Sequence, residues 1–102
     1  MCLIARANRE PHMNVRTVKY FLAVCEAGNF TKAAAANGIS QPSLSLAIQR
    51  LEQNFGGRLF DRSYDGVSLT ELGSNLRPIL KKLVRIADQA ILKAREVSLL
   101  RT

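Results

Sequence analysis

The apolar positions of this chain fall into helical rhythms broken once by a shorter period. Val18, Phe21, Leu22 and Cys25 recur at i, i+3, i+4 and i+7, the spacing of one helix face, and Gly28 closes that run. The stretch NFTKAAAANG follows, with Thr31 as a first-turn or capping residue, an alanine run of high helix propensity, and Asn37-Gly38 as stop and turn. It predicts a short second helix. Ser40 is a good N-cap, and Pro42 stands in a first turn where a missing N–H costs nothing, so a third helix is predicted from Gln41. In that helix Leu44, Ile48, Leu51 and Phe55 step by four, three and four and form a core stripe. The opposite face carries Pro42, Leu46, Gln49, Arg50 and Gln53, and Gly56-Gly57 terminates the helix.

The period then changes. In RLFDRSYDGVSLT two short extended runs flank Asp65-Gly66, a hairpin dipeptide, which predicts a two-stranded ribbon over residues 59–69. Thr70 is placed to cap a last helix from Glu71, with Leu76, Ile79, Leu83, Ile86, Ala90, Val97 and Leu100 on a heptad pattern interrupted by Lys93. At 1.5 Å per residue this helix spans about 40–45 Å, more than so small a domain needs for its own core, so its far end is expected to require a partner. Pro78 removes the bond to the Ser74 carbonyl and predicts a kink or loosened first turns.

These elements amount to a mainly α fold, a winged helix-turn-helix of three helices and a two-stranded wing, followed by a long dimerisation or linker helix. The expected divisions are a disordered extension at residues 1–12, the winged domain at 13–70 and the linker helix at 71–102. The extension shows no sustained periodicity and contains Pro11.

Charge narrows the class of partner. Fifteen Lys and Arg against eight Asp and Glu give a formal net charge of +7 over 102 residues, which points to a polyanion. A basic membrane-binding helix fits poorly, because Asp88 and Glu96 dilute the charge of the last helix and it has no aromatic residue. Catalysis has no candidate constellation: the one histidine is His12 in the N-terminal extension, and neither a carboxylate pair nor a Gly-rich phosphate loop appears. Cys2 and Cys25 have no zinc-like spacing, so no metal or cofactor is expected, and Cys25 reads as a packed hydrophobe. A reducing, cytoplasmic setting is expected.

A helix pair joined by an Asn-Gly turn, with short polar side chains at the second N-terminus, suits the major groove of double-stranded DNA. Glutamine can bond bidentately to adenine and serine to either base, while Leu46 has two readings: contact with a thymine methyl group, or contact with the second helix or the wing.

From residue 13 to about 100 the chain also resembles the LysR-type transcriptional regulators of bacteria, through FLAVCEAGNFTKAA, SQPSLSLAIQRLE, LFDR and LTELG in that order and spacing. The resemblance implies that Gln41, Pro42 and Ser45 face bases at the start of the recognition helix, with Ser43 and Arg50 as neighbours for base or phosphate. It implies that Thr31 and Lys32 lie against the DNA backbone and that Arg62 enters or borders the minor groove, the rival being an ion pair with Asp61 or Asp65. Thr70 would start the linker helix beside a phosphate. Leu46 departs from the basic residue many relatives carry there. Gln49 joins the residues expected at phosphate or groove, and Leu76, Ile79, Leu83, Ile86, Ala90 and Val97 are the expected dimerisation stripe. Relatives carry an effector-binding domain after the linker helix, and this sequence reaches only Thr102, so no small-molecule effector is expected to bind it. The implied partners are an inverted-repeat operator and a second copy of the chain. A rival of another class is a protein-interaction module, dimerising with full-length relatives through the long helix; there the stripe matters and Gln41 does not.

Overall fold

The computed structural model describes residues 13–63 and 66–101. The expectation for residues 1–12, and the Asp65 half of the hairpin dipeptide, lie outside them. The elements run α1 (Val15–Ala27), α2 (Phe30–Ala36), α3 (Gln41–Phe55), β1 (Phe60–Ser63), β2 (Gly66–Leu69) and α4 (Glu71–Arg101).

Each boundary has a local cause. Asn14 caps α1 in a reciprocal box, its side chain accepting from the Thr17 amide at 2.9 Å. The cap of α2 is Asn29, whose Oδ1 accepts from the Lys32 amide at 2.6 Å, so Thr31 is a first-turn residue and not the cap. Ser40 caps α3 as expected, accepting from the Ser43 amide at 3.2 Å. Gly56 ends α3 at φ 78°, a left-handed conformation that costs glycine no Cβ clash, and turns the chain into the wing. The strands pair antiparallel with Phe60 opposite Leu69 and Arg62 opposite Val67.

One core holds the molecule together. Val18, Phe21 and Val24 of α1, Phe30, Ala33 and Ala34 of α2, and Leu44, Ile48 and Leu51 of α3 are buried with Leu59, Phe60 and Leu80. The ring of Phe60 lies 5.3 Å from that of Phe21 and 5.7 Å, edge-on, from that of Phe30, so the first wing strand is anchored by aromatic contact to two helices. Glu52 completes the anchor. Its Oε2 accepts from the Leu59 amide at 2.8 Å and the Phe60 amide at 3.4 Å, satisfying donors where the chain enters the wing.

α4 continues as one helix through Pro78, where a kink or loosened first turns is expected. Pro78 and Ser74 are both exposed, so water can satisfy the carbonyl that loses its partner. The first half of α4 belongs to the common core: Leu80 is buried, and Leu72, Leu76, Leu83 and Val84 are half-buried against it. Leu76 and Leu83 therefore face, at least in part, the chain's own core, whereas Ile79 and Ile86 are 59% and 64% exposed. Lys19 and Asp88, 3.6 Å apart, tie α1 to α4 near the point where the core ends.

Candidate nucleic-acid interface

The residues singled out in α3 occupy its N-terminal turns and its outer side. Pro42, Ser43, Leu46, Gln49 and Arg50 are exposed, while Gln41 and Ser45 are half-buried. The first turn is internally organised. Ser40 Oγ donates to Ser43 Oγ at 2.9 Å while accepting from the Ser43 amide. Gln41 Nε2 donates to Ser45 Oγ at 3.1 Å. That bond uses one amide hydrogen and leaves Gln41 an acceptor oxygen and a second N–H, the pair a bidentate contact to adenine requires.

The cap is structural, so it yields a stability expectation. Ser40→Ala leaves the Ser43 amide without its side-chain acceptor and should cost about 1 kcal/mol, read from chemical denaturation, with Ser40→Asn recovering most of it.

Lys32 and Thr31 are exposed in the first turn of α2, beside Phe30. Arg62 reaches the same neighbourhood from β1: its guanidinium carbon lies 3.9 Å from the centroid of the Phe30 ring. The rival expected for Arg62 is an ion pair with Asp61 or Asp65; Asp65 lies outside the described residues, and the contact found for Arg62 among them is a stack over the Phe30 ring. The stack holds a planar cation at the wing while leaving it exposed. Thr70 uses both hydroxyl functions locally, donating to the Arg58 carbonyl at 2.6 Å and accepting from the Gly73 amide at 3.0 Å. It caps α4 and pins the wing's return strand to its entry. Glu52 and Phe30, which support the wing and its arginine, were not singled out in the sequence. The signal available for Phe30 was its place directly after a capping asparagine.

The expected dimerisation stripe divides in two. Ile79, Ile86, Ala90 and Val97 are exposed, and Leu76 and Leu83 lie at the edge of the core. Beyond residue 88 the helix carries further exposed apolar side chains, Ile91, Leu92, Leu99 and Leu100, and an open depression lined by Ile91, Ala94, Arg95, Ser98 and Leu99.

Cys25 is a free, half-buried thiol packed against the core on α1. Burial pushes its pKa up, and Arg77 and Lys81, which favour the thiolate, do not outweigh it. A raised pKa keeps the sulfur protonated and poorly nucleophilic, as befits a packing residue. Among the described residues no group of three or more His, Cys, Asp and Glu side chains gathers as a metal site, and no helix is long and apolar enough to cross a membrane.

Comparison with known proteins agrees with this geometry. Residues 15–74 match the family model described as "Bacterial regulatory helix-turn-helix protein, lysR family". The chain is 44% identical over 86 residues to the HTH-type transcriptional regulator BudR of Klebsiella aerogenes, covering 84% of this chain and 60% of that one. It is 41% identical over 78 residues to the regulator TfdT of Cupriavidus pinatubonensis, covering 76% of this chain and 34% of TfdT. This chain thus spans only part of the length of both relatives. Among solved structures, the CbnR DNA-binding domain in complex with DNA superposes with a TM-score of 0.79 at 34% identity, covering 84% of this chain and 99% of that one. The BenM DNA-binding domain bound to catB site 1 DNA gives 0.80 at 36% identity, covering 84% and 97%.

Proposed function

The chain belongs to the lysR family of bacterial regulatory helix-turn-helix proteins, and from that premise we propose that it binds double-stranded DNA sequence-specifically as a homodimer, without catalysis, as the DNA-reading part of a cytoplasmic transcriptional regulator. The observation that carries this reading is the start and outer face of α3, where a capped N-terminus and the exposed or half-exposed side chains of Gln41, Pro42, Ser43, Ser45, Leu46, Gln49 and Arg50 form one surface of a helix fixed on its other side by the core. Such a helix fits the major groove, and its first-turn N–H groups favour phosphate. The Arg62 wing would border the minor groove, with Thr31 and Lys32 of α2 along the backbone. Thr70, whose hydroxyl is occupied within the chain, would approach a phosphate only as part of the α4 N-terminus.

Residues 13–70 serve in this reading as the reader and 71–102 as the dimerisation helix, whose first turns also complete the reader's core. Ile79, Ile86, Ala90 and Val97 would form the seam with Leu76 and Leu83 at its edge. Exposed isoleucines at 52–64% along a helix support a helix partner, because a solvated helix gains nothing from them. The contribution of relatives that the chain does not span, including any effector site, lies outside this surface.

Selection from a random duplex library with the purified chain tests the proposal. Two-fold symmetry requires the enriched sequences to share an inverted repeat whose half-site centres are about one helical turn, or a multiple of it, apart. Enrichment without a shared sequence would refute specific reading and favour a module that meets other proteins through α4.

A further inference from the structure

Leu46 is an exposed leucine on a face where every other outward side chain except Pro42 is polar. At 100° per residue it stands about 160° from the buried Leu44 and Ile48 and about 140° from Leu51, so it is close to the point of α3 farthest from the core. Pro42, Arg50 and Gln53 lie within about 40° of it, and Ser43 and Gln49 within about 60°. It is 47% exposed and belongs neither to the core nor to the half-buried residues packed on that core. The other exposed large hydrophobics among the described residues sit at the start of α1 or along α4. Around Leu46 the polar functions are in part already committed: Ser43 Oγ is bonded to Ser40. Pro42, one turn earlier, adds carbon and lacks an N–H donor.

A side chain at that point of a helix lying in the major groove reaches base edges. The apolar group those edges offer is the 5-methyl of thymine. We propose that Leu46 is a specificity-determining residue that selects thymine at one fixed position of each half-site by burying its 5-methyl group, with Pro42 as the near wall of the contact. The inference rests on the DNA-reading role proposed above. It predicts a different preference from that of a basic residue at the same place, which would select guanine or a phosphate.

The test replaces thymines of the selected duplex, one position at a time, by deoxyuridine, which pairs identically and lacks only the methyl group. Equilibrium binding by the full chain should fall about three- to fivefold at one position per half-site, the effect of withdrawing one buried methyl group, and about tenfold or more when both half-sites are changed. Leu46→Ala should bind the thymine duplex about as weakly as the unmodified protein binds the doubly substituted one, and should be indifferent to uracil there. Because Leu46 is exposed, the variant's thermal midpoint should be unchanged, which separates lost contact from lost fold. A repeat that is selected but shows a flat uracil scan, or a uracil effect that persists undiminished in Leu46→Ala, overturns the Leu46 assignment and leaves the DNA-reading role standing. Failure to select any shared sequence overturns both.

Discussion

Raising monovalent salt from about 50 to about 200 mM should weaken binding of the proposed homodimer to the duplex it selects by about three orders of magnitude. The argument starts from charge: each chain carries a formal +7, and Lys32, Arg50 and Arg62 are exposed on the elements assigned to DNA. Two copies bring roughly six phosphate contacts, and release of condensed counterions then gives a slope of log K against log salt near −5. Titrations by fluorescence anisotropy at several salt concentrations read that slope directly. Lys32→Ala should flatten it by about two, one contact for each half of the dimer, and weaken all sequences alike. A slope near zero would mean that the positive charge serves solubility and does not meet phosphate.

Gly73→Ala should destabilise the fold by about 2–3 kcal/mol, against the usual direction for a glycine inside a helix. In an open helix the change would gain about 1 kcal/mol from propensity. Here Gly73 is buried, and an added Cβ would fall onto the Leu59 carbonyl oxygen and come within 2.8 Å of Leu69 Cδ2. The obstruction is backbone, and that carbonyl already accepts from the Thr70 amide at 3.0 Å. Relief requires α4 to move off the root of the wing, so the overpacking cost exceeds the propensity gain. For a domain of this size the loss corresponds to a fall in Tm of about 10–20 °C, to be compared at equal protein concentration because a dimer's Tm depends on it. A variant as stable as the parent would show that the wing and α4 are less tightly joined than this contact implies.

Much of this architecture was legible in the sequence, for reasons that differ between elements. The helices α1 and α3 declare themselves because each buries a single stripe against one core, so Val18, Phe21 and Leu44, Ile48, Leu51 repeat at helical spacing without interference. Ser40 and Pro42 mark the start of α3 by backbone chemistry alone. The same logic was available at Asn29, yet Thr31 competes for the cap in sequence, and the choice depends on whether Phe30 enters the core, a tertiary fact. The stripe of α4 was harder to divide, since one periodic pattern serves two bodies. Leu76 and Leu83 share its rhythm with Ile79 and Ile86, but the former are half-buried against the chain's own core while the latter face outward. Periodicity reports that a face is apolar and says nothing of what covers it.

The candidate site shows the same limit. Helical spacing alone puts Pro42, Leu46, Gln49, Arg50 and Gln53 on the uncovered side of a helix whose other side is core, while the base-facing roles of Gln41 and Ser45 come from the family resemblance. The stack of Arg62 on Phe30, and the role of Glu52 in receiving the wing, join residues 32 and 7 positions apart in sequence. No local pattern carries either contact.

The central claim, that α3 reads bases, is tested most directly by repeating the selection with Gln41→Ala. The account predicts that the inverted repeat emerging with the unmodified chain loses its adenine preference at one position per half-site, with discrimination there falling by about 1–3 kcal/mol while the salt slope stays the same. Selection of the same repeat with the same base preferences by Gln41→Ala would contradict it.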